Sequence, residues 1–177
     1  MGEKEENLAL YILSFQKGDF SSFTSFFEEV KRPLFYNIYA LTKNNEEAED
    51  LLQETFVRFL KNINEVSTSK SVLGYLFTLS RNLTIDHLRK KNRNQSVDLD
   101  LSLYGERDNY SIDDSSLLNK IKGILKDKEF EIFVLHAMND LSFKEIARIQ
   151  KRPIGTVLWA YSNAIKKIRK EIPYESL

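Results

Sequence analysis

An all-α fold, arranged as two small helical domains, is predicted for this chain by three observations. Apolar residues recur at spacings of three and four, only six Gly and three Pro punctuate 177 residues, and the even, turn-separated runs of β-branched residues that sheets leave are missing. Helical patterns fall at 7–17, 19–41, 46–62 and 70–92, and again at 116–125, 128–138, 142–150 and 154–171. Between the two groups, 94–116 is rich in Asp, Ser and Asn, contains Gly105 and holds no sustained helical period, so it reads as a flexible acidic linker. The expected organisation is a helical domain at 1–93, a linker at 94–116 and a second helical domain at 117–177. Each half is short enough for its own stability to be modest unless a partner supports it.

The first patterns are aromatic. Phe20, Phe23, Phe26, Phe27, Phe35, Tyr36 and Tyr39 fall at spacings of three, four and their sums, which builds one apolar face for a core. Pro33 starts or kinks a helix after Lys31-Arg32. In 46–62, positions 48, 52, 56, 59 and 60 form the core stripe, and Asp50, Gln53, Glu54 and Val57 share another face. A face of carboxylate, amide, carboxylate and small apolar group accepts Arg and Lys donors from a partner. A solvated acidic face that complements the helix dipole is the competing reading.

In 70–92, Val72, Leu73, Leu76, Phe77, Leu79, Leu83 and Leu88 form the apolar side, and Asn82, Asp86, Arg89 and Arg93 recur at helical spacing on another. The helix ends in Arg89-Lys90-Lys91-Asn92-Arg93. Cations there neutralise phosphates and an amide such as Asn82 hydrogen-bonds a base edge, although compensation of the helix dipole accounts for the same charges. His87 reads as a surface histidine or a phosphate contact.

Further on, Ser142 with Glu145 three residues later has capping-box spacing, a turn follows at Lys151-Arg152-Pro153, and a second helix starts at Ile154-Gly155-Thr156-Val157. That helix buries Val157, Tyr161, Ala164 or Ile165, and Ile168, and its N-terminus is positioned to meet a major groove or phosphate. Two helices so joined point to helix-turn-helix DNA binding. Trp159 is assigned to the core or a partner surface ahead of a base contact.

Composition excludes several classes. With no Cys and only two His, His87 and His136, disulfide frameworks, thiol nucleophiles and most metal sites lose their ligands, so no metal or cofactor is expected. Carboxylates abound, but no nucleophile, base and orienter stand at catalytic spacing, so the chain is not expected to be an enzyme. No apolar run approaches the ~18 residues of a membrane helix, and Gly2-Glu3-Lys4-Glu5-Glu6 lacks a signal peptide's basic and apolar regions; a cytoplasmic chain without membrane insertion is expected. Lys and Arg balance Asp and Glu at 13 to 13 in 1–93, but stand at 1 to 6 in 94–116 and 12 to 7 in 117–177. The basic C-terminal part permits nucleic-acid contact, as a solvated basic face also would.

The string AEDLLQETFVRFLKN, preceded by Lys17-Gly18-Asp19 and Phe23 and followed by Leu79-Ser80-Arg81-Asn82-Leu83-Thr84-Ile85-Asp86-His87-Leu88-Arg89-Lys90, resembles conserved region 2 of the extracytoplasmic-function (ECF) sigma factors, members of the sigma-70 family. LSFKEIA followed by P-x-GTV resembles region 4 of the same family, and the order of the two regions agrees. The resemblance covers roughly 17–93 and 118–170. It implies a promoter-specific initiation factor. Asp50, Gln53 and Glu54 would dock on the clamp of the polymerase's largest catalytic subunit, and Asn82, Asp86, Arg89, Lys90 and Arg93 would bind minus-ten DNA. Arg152, Gly155, Thr156 and Lys166 would bind the minus-thirty-five element. The loop Asn62 to Lys70 would wall a pocket for an unpaired base. An anti-sigma protein that covers the same surfaces is implied as a further partner. The chain departs from the family in having Tyr75-Leu76 for the usual Trp-Leu, Lys151 for a turn Gly, and Leu158-Trp159-Ala160 and Asn163 where basic or small polar residues are common. A helix-turn-helix regulator acting alone, or a sigma-like adaptor acting through protein contacts with weakened DNA reading, stands as the alternative.

Overall fold

The computed structural model describes residues 3–95, 115–139 and 141–172, all of them in helices and the turns between helices. Among the described residues eight α-helices follow in order: α1 Glu3–Gln16, α2 Phe23–Thr42, α3 Asn45–Lys61, α4 Val72–Gln95, α5 Ser115–Ile124, α6 Asp127–Phe133, α7 Phe143–Gln150 and α8 Ile154–Glu171. A 3₁₀ turn, Ile63–Glu65, follows α3, and a π-helical turn, Val134–Met138, follows α6. The expected linker falls mainly on 96–114, outside the described residues; α4 reaches Gln95 and α5 begins at Ser115.

Helix α2 is the central post. Its first half buries Phe26 and Val30 and leaves its other side open, whereas 34–40 are buried on every side. The single apolar face expected from the aromatic spacing therefore holds only for the first half; a helix enclosed all round has neighbours on all its faces. Pro33 neither starts nor ends a helix. It removes one backbone donor, but Val30 and Leu34 on either side are fully buried, and α2 runs through it unbroken. The expected start at 19 moves to Phe23, because Gly18 turns the chain with a φ of 84° and the Asp19 carboxylate accepts from the Ser21 N–H at 3.0 Å.

Helices α1, α3 and α4 pack on α2 through an aromatic core. Phe26 stacks on Phe59 with centroids 5.3 Å apart, and Phe27 meets Phe56 at 4.7 Å. In α3 the buried stripe is Ala48, Leu51, Thr55, Phe56 and Phe59, so the expected stripe is shifted; Leu52 and Leu60 are only half-buried. Thr55 enters the core because its hydroxyl donates to the Leu51 carbonyl at 2.7 Å and leaves no donor unmet.

The helices after 115 lean on this first group. Helix α2 contacts α6 and the π turn, and α4 contacts α7. Arg81 of α4 donates to Glu131 of α6 at 2.7 Å, with 12% and 2% of the two side chains exposed. Lys43 pairs with Asp127 at 2.8 Å on the surface, and Lys122 donates to the Tyr39 hydroxyl. The pattern expected at 128–138 splits into α6 and the π turn, whose first carbonyl, Val134, accepts from Asn139 Nδ2 just past its end at 2.8 Å. No described helix is long and apolar enough to cross a membrane.

Candidate nucleic-acid and protein interfaces

The acidic face is built by the caps and packing of α3. The Asn44 side chain accepts from the Glu47 N–H at 2.9 Å and starts the helix. With Leu51, Thr55 and Phe59 turned inward, Asp50, Gln53, Glu54 and Val57 come out together on the exposed side. Val57 is 50% exposed, so an apolar group stands among the polar ones. Glu54 is paired with Arg58 of its own helix at 2.7 Å, which leaves Asp50 and Gln53 as the groups most available to a partner. Glu47, one turn earlier beside this face, receives Lys91 and the His87 ring at 3.2 Å, which ties α3 to the basic end of α4. His87 is thus half-buried against α3, and of the basic run at 89–93 Lys91 is spent on this contact.

Helix α4 is aimed by its N-terminus. Glu5 of α1 accepts from the Ser71 hydroxyl at 2.8 Å and from the Val72 N–H at 2.9 Å, a carboxylate placed where the helix dipole favours it. Ser71 Oγ in turn accepts from the Gly74 N–H at 2.8 Å, and a Cβ at Gly74 would stand 3.0 Å from that oxygen. Asn82, Asp86, Arg89, Lys90 and Arg93 then emerge along one exposed side. Asp86, Arg89, Lys90, Asn92 and Arg93 line a surface depression, and Arg89 lies 3.8 Å from Asp86. Four of the five residues expected at minus-ten DNA line this depression, and Asn82 is exposed one turn before it on the same helix.

The preceding loop is fixed from below by Gln16, whose amide donates to the carbonyls of Ile63 and Val66, both at 2.9 Å. Asn64, Glu65, Ser67, Ser69 and Lys70 stay exposed. Tyr75 is half-buried, and its hydroxyl is pushed above its ordinary value first by that burial and then by the Glu65 carboxylate. The residue at the Tyr-Leu position thus sits within the electrostatic reach of the loop.

In the second group the capping box of α7 is formed: Ser142 Oγ accepts from the Glu145 N–H at 3.2 Å, and Glu145 accepts from the Ser142 N–H at 2.9 Å. Lys151 ends α7 with a φ of 52°, the left-handed conformation that explains why Gly suits this position. His136, Phe143 and Tyr161 lock α7 and α8 to the π turn, with centroids 4.0 to 5.1 Å apart. On α8 and the turn before it, Gly155, Thr156 and Lys166 are exposed and Arg152 is half-exposed. Trp159 is 68% exposed, which removes the core reading; its neighbours Val157 and Ala160 take the inward face instead. Sequence reasoning did not find the Arg81–Glu131 pair, since two charges 50 residues apart carry no spacing signal.

A family model described as "Sigma-70 region 2" matches residues 26–94, the span from α2 to the basic end of α4. The chain is 30% identical over 172 residues to the ECF RNA polymerase sigma factor SigW of Bacillus subtilis (strain 168), covering 89% of this chain and 92% of that relative. It is 32% identical over 117 residues to the ECF RNA polymerase sigma factor SigM of the same organism, across 63% of this chain and 71% of the relative. In three dimensions it is similar to the sigma factor RpoE of Bartonella quintana, solved in complex with the anti-sigma factor NepR. The TM-score is 0.64 at 22% identity, over 84% of this chain and 94% of that one, a likeness of fold.

Proposed function

The chain belongs to the extracytoplasmic-function sigma factors of RNA polymerase, and from that membership we propose that 1–93 docks on core polymerase and opens minus-ten DNA while 117–177 reads upstream DNA. It acts in transcription initiation and carries no catalysis of its own. One observation supports the assignment of surfaces most strongly. The exposed strip Asp50, Gln53, Glu54 and Val57 on α3 and the exposed strip Asn82 to Arg93 on α4 lie on neighbouring helices of one packed group. Glu47 fastens the two helices together through Lys91 and His87. An acidic surface for protein and a basic surface for nucleic acid are thereby held in fixed relation, as a subunit that places DNA against an enzyme requires.

On this reading Asp50, Gln53 and Glu54 accept donors from the clamp of the largest polymerase subunit. Arg89, Lys90 and Arg93 neutralise phosphates, and Asn82 hydrogen-bonds a base edge. The loop 62–70 and Tyr75 enclose an unpaired base. Arg152, Gly155, Thr156 and Lys166 meet minus-thirty-five DNA. The units 1–93 and 117–177 are separable bodies joined by 94–116, the site of action is the cytoplasm, and an anti-sigma protein covers these surfaces when the factor is idle.

Reading both elements at once also demands movement. Elements about 25 base pairs apart lie roughly 85 Å apart along B-DNA at ~3.4 Å per pair, whereas a packed body of about 150 residues is only ~38 Å across. The second group of helices must leave α2 and α4, which breaks the Arg81–Glu131 pair. The docking assignment is tested by retention of the Asp50→Ala and Gln53→Ala variants on immobilised core polymerase. A loss of at least about tenfold in affinity, or ~1.4 kcal/mol, is expected. Unchanged affinity removes the clamp from this helix.

A further inference from the structure

The first turns of α8 expose Ile154, Leu158 and Trp159 to 48, 44 and 68%. On a helix Ile154 and Leu158, four residues apart, are neighbours, and Trp159 stands four residues from the exposed Gly155 on the adjoining row, so the two rows together make one broad apolar patch rather than a single line. Large apolar side chains gathered on a surface mark an interaction site, while single ones need no explanation. The patch also occupies the N-terminal part of the second helix of a helix-turn-helix, the part that meets base edges in a major groove.

Charge selects the occupant. From 141 to 172 there are eight Lys and Arg against two Glu, and one of those two, Glu145, is bound into the cap of α7. Lys144, Arg148 and Lys151 on the preceding helix and turn are exposed. An apolar patch on a helix pair with this surplus of exposed cations suits a polyanion that presents methyl groups inside a groove. Duplex DNA does so at thymine, whose C5-methyl is the apolar mark of the major groove. We propose that Leu158 and Trp159, with Ile154 beside them, read thymine methyl groups in the upstream promoter element. The proposal rests on the reading that α8 enters upstream DNA, and it moves sequence choice to residues outside the polar set Arg152, Gly155, Thr156 and Lys166.

The test uses holoenzyme assembled from the full chain and core polymerase. It selects from duplexes that carry a fixed minus-ten segment and a randomised upstream segment. Enrichment of adjoining T·A pairs is expected. Replacing those thymidines with deoxyuridine removes the methyl alone and is expected to weaken wild-type binding about fourfold per position, the worth of one buried methyl group. Trp159→Ala and Leu158→Ala are expected to flatten the preference and erase the deoxyuridine effect with core affinity unchanged, and Trp159→Phe to retain it. Both residues are exposed, so the variants should melt with the wild type; the deoxyuridine comparison on wild type decides the matter even if they do not. An upstream preference indifferent to deoxyuridine overturns the methyl assignment and leaves upstream reading intact. No upstream preference at all, with minus-ten-dependent transcription retained, removes both. Loss of core affinity in Trp159→Ala makes the patch a protein interface and also overturns the proposal.

Discussion

Replacing Arg81 with Met takes the cation from a pair whose carboxylate, Glu131, keeps 2% of its side chain exposed. Removing one partner of a buried pair costs about 3–5 kcal/mol, because the remaining charge is left desolvated. Arg81 itself is 12% exposed, so the lower end, about 3 kcal/mol, is the better figure. The penalty falls on the packed arrangement alone, since Glu131 regains water once α6 leaves α4. The equilibrium between packed and parted groups should therefore move toward the parted one by up to about 150-fold. The chain contains no Cys, so Lys61→Cys and Lys170→Cys give two unique dye positions on exposed residues of the two groups. Energy transfer between them should fall in Arg81→Met, and core polymerase should capture that variant faster than wild type. The double variant Arg81→Met, Glu131→Leu should restore transfer, since an apolar pair fills the same space without a buried charge. Unchanged transfer in Arg81→Met, with unfolding shifted by less than about 0.5 kcal/mol, would show that the pair does not hold the groups together.

Three further outcomes are expected. Lys151→Gly should stabilise the second group of helices by about 1 kcal/mol in thermal melts, because Lys151 sits at a φ of 52° where a side chain is strained and Gly is not; a lower midpoint would contradict this. At Glu129, burial pushes the carboxyl up, but Lys167 at 2.6 and 2.8 Å and the Lys126 N–H at 2.9 Å prevail and hold it below the ordinary 4.5. A depressed folded value contributes stability above the unfolded one and loses it as pH falls through the folded one. The stability gap between wild type and Glu129→Gln should thus be full near neutrality and close below about pH 4.5, and a gap independent of pH would refute the pairing. Asn82→Ala and Arg89→Ala should reduce open-complex formation, read by permanganate reactivity of unpaired thymines, more than they reduce core affinity. Equal losses in both would place these residues outside the DNA-opening surface.

Local periodicity made most of this architecture legible. All eight helices stand near their expected places, since apolar spacing, the Ser142 and Glu145 cap and the Lys151 to Pro153 turn are written within a few residues of one another. The exposed faces of α3 and α4 followed from the same spacing, and the residues expected on each emerge together. What spacing could not supply were contacts between distant segments. Residues 34–40 are enclosed because helices from after 115 arrive on their outer side, and nothing in the α2 pattern announces a neighbour so far along the chain. Thr55 entered the core through a hydrogen bond to its own helix, which residue polarity alone hides. Trp159, large and apolar, reads from the sequence as an inward or partner-facing residue, but the small Ala160 beside it fills the inward place and the indole lies out.

Run-off transcription with purified core polymerase on a genomic promoter library, with and without the full chain, measures the central function directly. New transcripts from a restricted set of promoters are expected, and they should be lost when Asp50 and Gln53 are both replaced by Ala. No new transcript, together with no retention of the chain on core polymerase, would contradict the assignment of an initiation factor.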